Sequence, residues 1–151
     1  MLRYVEAGLS DLEVPQEISL CIYLSGCIYR CEHCHYQDLQ APDGGNLLAE
    51  NFEPLFLAYQ AYMTCLCFLG EGSACDQHEL LHYVEYAHAK NVKSCLYTGK
   101  EQLEDWMHNF DYVKIGKYLP QRGPLWSETT NQRMYVRHHE IWFPLKPAMF
   151  R

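Results

Sequence analysis

The chain is short of positive charge: twelve Lys and Arg stand against nineteen Asp and Glu, for a net charge of −7. That balance argues against a protein that binds nucleic acid through a general phosphate field. No run of basic residues offsets it, and no internal repeat is present. No stretch approaches the roughly 20 apolar residues that cross a bilayer. The opening MLRYVEAGLSDLEV lacks the basic start, apolar middle and small-residue cleavage site of a secretory leader. The expectation is a cytoplasmic chain whose eight cysteines stay reduced, some of them serving metal rather than disulfides.

What is there is ordinary globular composition. The chain is 48% hydrophobic and 21% charged, and its 14% of aromatics is too many for disorder. Its 151 residues make one domain with a real core, expected over about residues 17–136 with a tail at 137–151. Residues 17–24, EISLCIYL, predict a buried strand. Residues 64–69, TCLCFL, residues 92–97 and residues 112–115 predict three more, and residues 133–136 a fifth. Between them, helices are expected from Asn51 as cap to Tyr59, from an Asp76/Glu79 capping box to about Lys90, and over residues 101–108. Alternating strands and helices give an α/β fold with all strands parallel. Ligands on such sheets collect at the carboxyl ends of the strands. The turns Gly70-Glu71-Gly72 and Thr98-Gly99 both follow a strand's last residue, as does Ser25-Gly26.

Residues 25–36 read SGCIYRCEHCHY, placing Cys27, Cys31 and Cys34 in a C-x₃-C-x₂-C spacing. Three thiolates so close can wrap one metal cluster. Structural zinc and closed clusters take four protein ligands, whereas reactive sites keep a position open. A four-iron cube held by three sulfurs leaves one iron for a small molecule bearing an amino group and a carboxylate. The competing reading is a structural Cys₃His zinc site, closed by His33, His35 or a distant histidine. Cys65 and Cys67 lie two apart in an apolar strand, and with Cys21 and Cys95 they read as small buried hydrophobes.

The cysteine spacing after the first strand resembles the radical S-adenosylmethionine enzymes. More narrowly, the chain resembles the activating proteins of anaerobic ribonucleoside-triphosphate reductases. The likeness rests on residues 65–70 (CLCFLG), 97–99 (YTG), 111–116 (DYVKIG), 123–125 (GPL) and 130–133 (TNQR), spanning about Ile18 to Val136. It implies a small partial (β/α) barrel and one [4Fe–4S] cluster on Cys27, Cys31 and Cys34. It also implies reductive cleavage of S-adenosylmethionine, with the resulting radical passed to a glycine of the reductase large subunit. The electron would come from an outside one-electron donor such as a flavodoxin. By the same likeness, His33, Cys34 and His35 line the adenine side of the cofactor. Gly70, Glu71 and Gly72 take the place of a Gly-Gly-Glu or Gly-Gly-Asp turn that binds the methionine amino group. Thr98 and Gly99 add polar contacts near ribose or carboxylate. The register of that glycine turn departs from the family pattern: either the motif is shifted or Glu71 replaces a glycine. A small-molecule radical enzyme of the 7-carboxy-7-deazaguanine synthase kind and a non-catalytic zinc module remain as alternatives.

Overall fold

The computed structural model describes residues 1–25, 45–72 and 76–150. The chain order is β1 (Arg3–Ser10), β2 (Ser19–Leu24), β3 (Asn46–Leu47), α1 (Leu48–Tyr59), β4 (Cys65–Leu69), α2 (Gln77–Ala89) and β5 (Lys93–Tyr97). After a 3₁₀ turn at Asp105–Asn109 come β6 (Tyr112–Ile115), β7 (Arg133–His138) and β8 (Ile141–Pro144). All eight strands join one open sheet in the order β3-β1-β2-β4-β5-β6-β7-β8. This is a mixed α/β fold.

The centre is parallel: β2, β4, β5 and β6 run side by side, with Tyr23, Leu69, Tyr97 and Lys114 in one cross-strand row. Their carboxyl ends are therefore level. The flanks are antiparallel, since β1 pairs with β2, β7 with β6 and β8 with β7 in that sense. The expectation that all strands point one way fails at β7. The stretch between β6 and β7 contains no helix. Without a crossover the chain turns at the sheet edge and comes back antiparallel.

Period-two alternation splits the sheet's side chains between two faces. On the helix face, Leu20, Ile22, Phe68, Leu96 and Val113 pack with Phe52, Phe56, Leu80 and Val84 in one buried cluster. On the other face Cys21, Cys65, Cys67 and Cys95 meet Tyr112 and Met134. Among the described residues, neither α1 nor α2 contributes to this cysteine cluster. Val14, from the β1–β2 loop, covers it and is fully buried, while Leu145 and Phe150 pack on it from the chain's last residues. The loop is pinned across the sheet. Tyr97 donates its hydroxyl to the Glu13 carbonyl, Tyr112 donates to Glu17 at 2.8 Å, and Lys93 pairs with Glu17 at 3.1 Å.

The helix starts differ from expectation. Helix α1 begins three residues before Asn51, whose side-chain amide donates to the Leu47 carbonyl at 2.9 Å. Asp76 makes no side-chain cap bond to α2. Asp76 and Glu79 instead take the first residues of the chain. Asp76 accepts from the Met1 ammonium at 2.9 Å, and Glu79 from the Leu2 N–H at 3.0 Å. The helix expected over 101–108 is the 3₁₀ turn, held by Met107 and the Phe110 N–H. No helix among the described residues is long and apolar enough to cross a membrane.

Candidate metal and cofactor site

Cys27, Cys31 and Cys34 lie outside the described residues, as do His33 and His35. The described chain on either side fixes where that segment starts and ends. It leaves the carboxyl end of β2 at Ser25, whose N–H donates to the Arg3 carbonyl at 2.9 Å. It returns at Gly45, whose carbonyl accepts from the Arg3 guanidinium at 3.2 Å. One residue of β1 therefore holds both ends, at the level edge of the parallel strands.

Beside it lie the turns expected to carry polar contacts. Gly70 and Gly72 adopt φ of 98° and 69°, conformations that L side chains rarely take. A Cβ on Gly72 would also stand 2.5 Å from Leu2. Between them, both oxygens of Glu71 are engaged by the chain itself. Thr98 donates its hydroxyl to one at 2.6 Å, and Lys100 meets the other at 2.9 Å. What this turn offers a ligand is backbone, with the Glu71 side chain acting as the strut that sets it. Burial works against the charge of Lys100, but its bonds to Glu104 (2.6 Å) and Glu71 outweigh burial and raise its pKa.

The strut continues along the edge. Thr98 is buried, its N–H donates to the Lys114 carbonyl, and its own carbonyl accepts from the Lys114 ammonium at 3.2 Å. Lys114, also buried, donates to the Gly116 carbonyl at 2.9 Å and stands 5.3 Å from the centre of the Tyr97 ring. Gln132 donates to the same Gly116 carbonyl at 3.1 Å. Hydrogen bonds thus run Glu71–Thr98–Lys114–Gly116–Gln132 across the ends of β4, β5, β6 and β7. Next to the edge, a cleft of about 400 Å³ is lined by Gly99, Lys100 and Lys117, among others.

The structure therefore brings Gly70, Glu71, Gly72, Thr98 and Gly99 to one edge of the sheet. Sequence reasoning missed Lys100, Lys114 and Gln132. Two carried a signal without a role: Lys114, a lysine inside an otherwise apolar strand, residues 112–115, and Gln132, within the family-like stretch 130–133. Arg133 donates from one guanidinium nitrogen to the Thr130 and Gln132 carbonyls at 2.8 and 2.9 Å.

The remaining described cysteines form a separate row. Cys21, Cys67 and Cys95 sit in register on adjacent strands, with Cys65 two residues below Cys67. All four are buried and free. The Cys67 thiol and then burial push Cys21 up, and burial leads in raising Cys65, Cys67 and Cys95, the last to about 11. Protonated thiols in an apolar layer are poor ligands. Among the described residues no group of three His, Cys, Asp or Glu side chains could hold a metal ion. The other four cysteines, Cys27, Cys31, Cys34 and Cys75, lie outside the described residues.

One arrangement imitates a catalytic triad. His88 Nε2 lies 3.0 Å from both Ser94 Oγ and Asp111 Oδ2. Both contacts use one ring nitrogen, so the imidazole cannot relay a proton between them. Ser94 and Asp111 lie at the amino ends of β5 and β6, away from the candidate site. The trio ties α2 to the sheet.

A family model described as a 4Fe-4S single cluster domain matches residues 17–134. It is found in radical S-adenosylmethionine-type proteins. No curated protein matches the chain.

Proposed function

Since the chain belongs to the 4Fe-4S single cluster domain family, we propose that it is an activating enzyme for an anaerobic ribonucleoside-triphosphate reductase. In this reading Cys27, Cys31 and Cys34 hold the cluster, and the open sheet curves as a partial (β/α) barrel. The bound cluster supplies the electron that cleaves S-adenosylmethionine, so that a glycine of the reductase can be left as a stored radical.

The chain's own residues bind and shield. The cofactor's amino group is met by backbone carbonyls of the Gly70–Gly72 turn, which Glu71 holds rigid through Thr98 and Lys100. Thr98, Gly99 and the segment around His33 and His35 supply further contacts. The β1–β2 loop and the packed end of the chain exclude water from the cysteine face. One observation carries the reading. In a 4Fe–4S domain, the segment with three closely spaced cysteines leaves the sheet at the same edge as two glycine-bearing turns. That is where a cluster-bound amino acid needs backbone acceptors.

The test is anaerobic reconstitution with iron and sulfide, followed by reduction in the presence of S-adenosylmethionine and a competent reductase. Methionine, 5′-deoxyadenosine and a glycyl electron-spin signal on the reductase are expected. Cleavage with no reductase signal would overturn the assigned partner. Tight zinc uptake with no cleavage would overturn the enzyme.

A further inference from the structure

The seventeen residues between β6 and β7 form a stapled loop at the candidate site's edge, since Ile115 and Arg133 at its two ends are directly paired. Its body is braced from within. Arg122 donates to the Thr129 carbonyl at 2.6 Å, and the Thr129 hydroxyl donates back to the Arg122 carbonyl at 2.7 Å. Ser127 and Thr129 share a bond at 2.9 Å, and Asn131 donates to the Lys117 carbonyl at 2.9 Å. Gly123 takes φ of 82°, where a Cβ would press on Ser127 at 2.9 Å.

This braced loop carries Trp126 at its far bend, 49% exposed. Among the described residues the indole makes no hydrogen bond and no ring contact. A large aromatic on a rigid support loses little freedom when a partner covers it, and such residues dominate binding energy. The local charge also departs from the rest of the chain. Lys117, Arg122 and Arg133 bracket the tryptophan with one carboxylate, Glu128, in a protein of net charge −7. None of the three cations has an acidic partner among the described residues.

We infer that this loop docks the protein substrate, with Trp126 stacking on an apolar residue of an acidic segment and the three cations steering it. The inference rests on the proposed function, because only a protein substrate must approach this edge while the site is loaded. Complementary charge fixes register and speeds encounter, and the aromatic anchor supplies affinity.

The experiment measures anaerobic affinity of the reconstituted chain for the intact reductase large subunit by biolayer interferometry. Wild type, Trp126→Ala, Lys117→Glu and the control Leu57→Ala are compared. Leu57 is 51% exposed on α1. Trp126→Ala is expected to raise Kd by about 30-fold or more with an unchanged unfolding midpoint. Lys117→Glu is expected to weaken binding and flatten its salt dependence. Leu57→Ala is expected to bind as wild type. If Trp126→Ala binds within about threefold of wild type, or if Leu57→Ala loses as much, the docking assignment is overturned. A wild-type chain that fails to bind any competent reductase would sink the proposed function, and this inference with it.

Discussion

Removing the sulfur at the middle of the cysteine row separates the two roles that cysteine has in this chain. Cys67 is fully buried between Cys21 and Cys95 on neighbouring strands. Cys67→Ala forfeits transfer of one small apolar group, about 0.8 kcal/mol. It also leaves a void of roughly 25 Å³, which at 24 cal/mol per Å³ costs about 0.6 kcal/mol. The combined loss of about 1.5 kcal/mol lowers the melting midpoint by about 3–6 °C for a chain of this size. Cys67→Ser keeps the volume but buries a hydroxyl among thiols, which are weak partners, at a cost of about 1–3 kcal/mol. Both variants are expected to take up as much iron as wild type on anaerobic reconstitution. The assay pairs urea unfolding under reducing conditions with iron counted per chain. A variant that keeps its midpoint but loses half its iron would refute the reasoning, because the row would then be feeding the cluster.

Three further outcomes follow from the edge of the sheet and from its far end. Glu71→Ala leaves the buried Thr98 O–H without its acceptor, although its oxygen keeps the Lys100 N–H and Lys100 keeps Glu104. It is expected to cost about 2 kcal/mol and to weaken S-adenosylmethionine binding in equilibrium dialysis; unaltered affinity would detach this turn from the site. Gly116→Ala places a Cβ 3.1 Å from the Asn131 carbonyl oxygen at φ of 92°. It is expected to lower the urea midpoint by the equivalent of about 1–3 kcal/mol, and an unmoved midpoint would show that the turn relaxes. Asp111 is an acid-sensitive group. Burial opposes its charge, but bonds from His88 and the Ser94 N–H and the nearby Arg137 outweigh burial and lower its pKa. Its folded value lies below its unfolded one, so its contribution is present above about pH 4 and drains away as pH falls through the folded value. Asp111→Asn is expected to flatten the pH dependence of stability in that acid window, and a curve parallel to wild type would exclude the assignment.

The parallel centre was legible because residues 17–24, 64–69, 92–97 and 112–115 are apolar runs ending in turn residues, which only buried strands require. Of the antiparallel flanks only β7 was, over residues 133–136, and its direction was not. Residues 3–10, RYVEAGLS, alternate weakly because Val5 and Leu9 are partly exposed at the sheet's margin. Residues 141–144, IWFP, end in proline and resemble a loose tail, yet they form the margin strand where proline is tolerated. Gly70, Glu71, Gly72, Thr98 and Gly99 were found because each follows a strand's last residue. Lys114 and Gln132 share one carbonyl that lies 2 and 16 residues away from them, respectively, and such meetings depend on cross-strand register, which no local pattern encodes. The Asp76 and Glu79 spacing suggested a helix cap, but the first strand delivers the chain's opening residues to those same carboxylates.

Arg3 grips the chain both where it departs toward the three cysteines and where it comes back. Closing a loop of about twenty residues costs on the order of 2–3 kcal/mol in lost freedom, and the Arg3 bonds place the sheet, rather than iron, to meet it. Metal uptake is therefore expected to be uncoupled from folding, unlike the small zinc domains that collapse when chelated. Stripped by a chelator, this protein should keep its strands, its helices and its melting cooperativity, and wait intact for a new cluster.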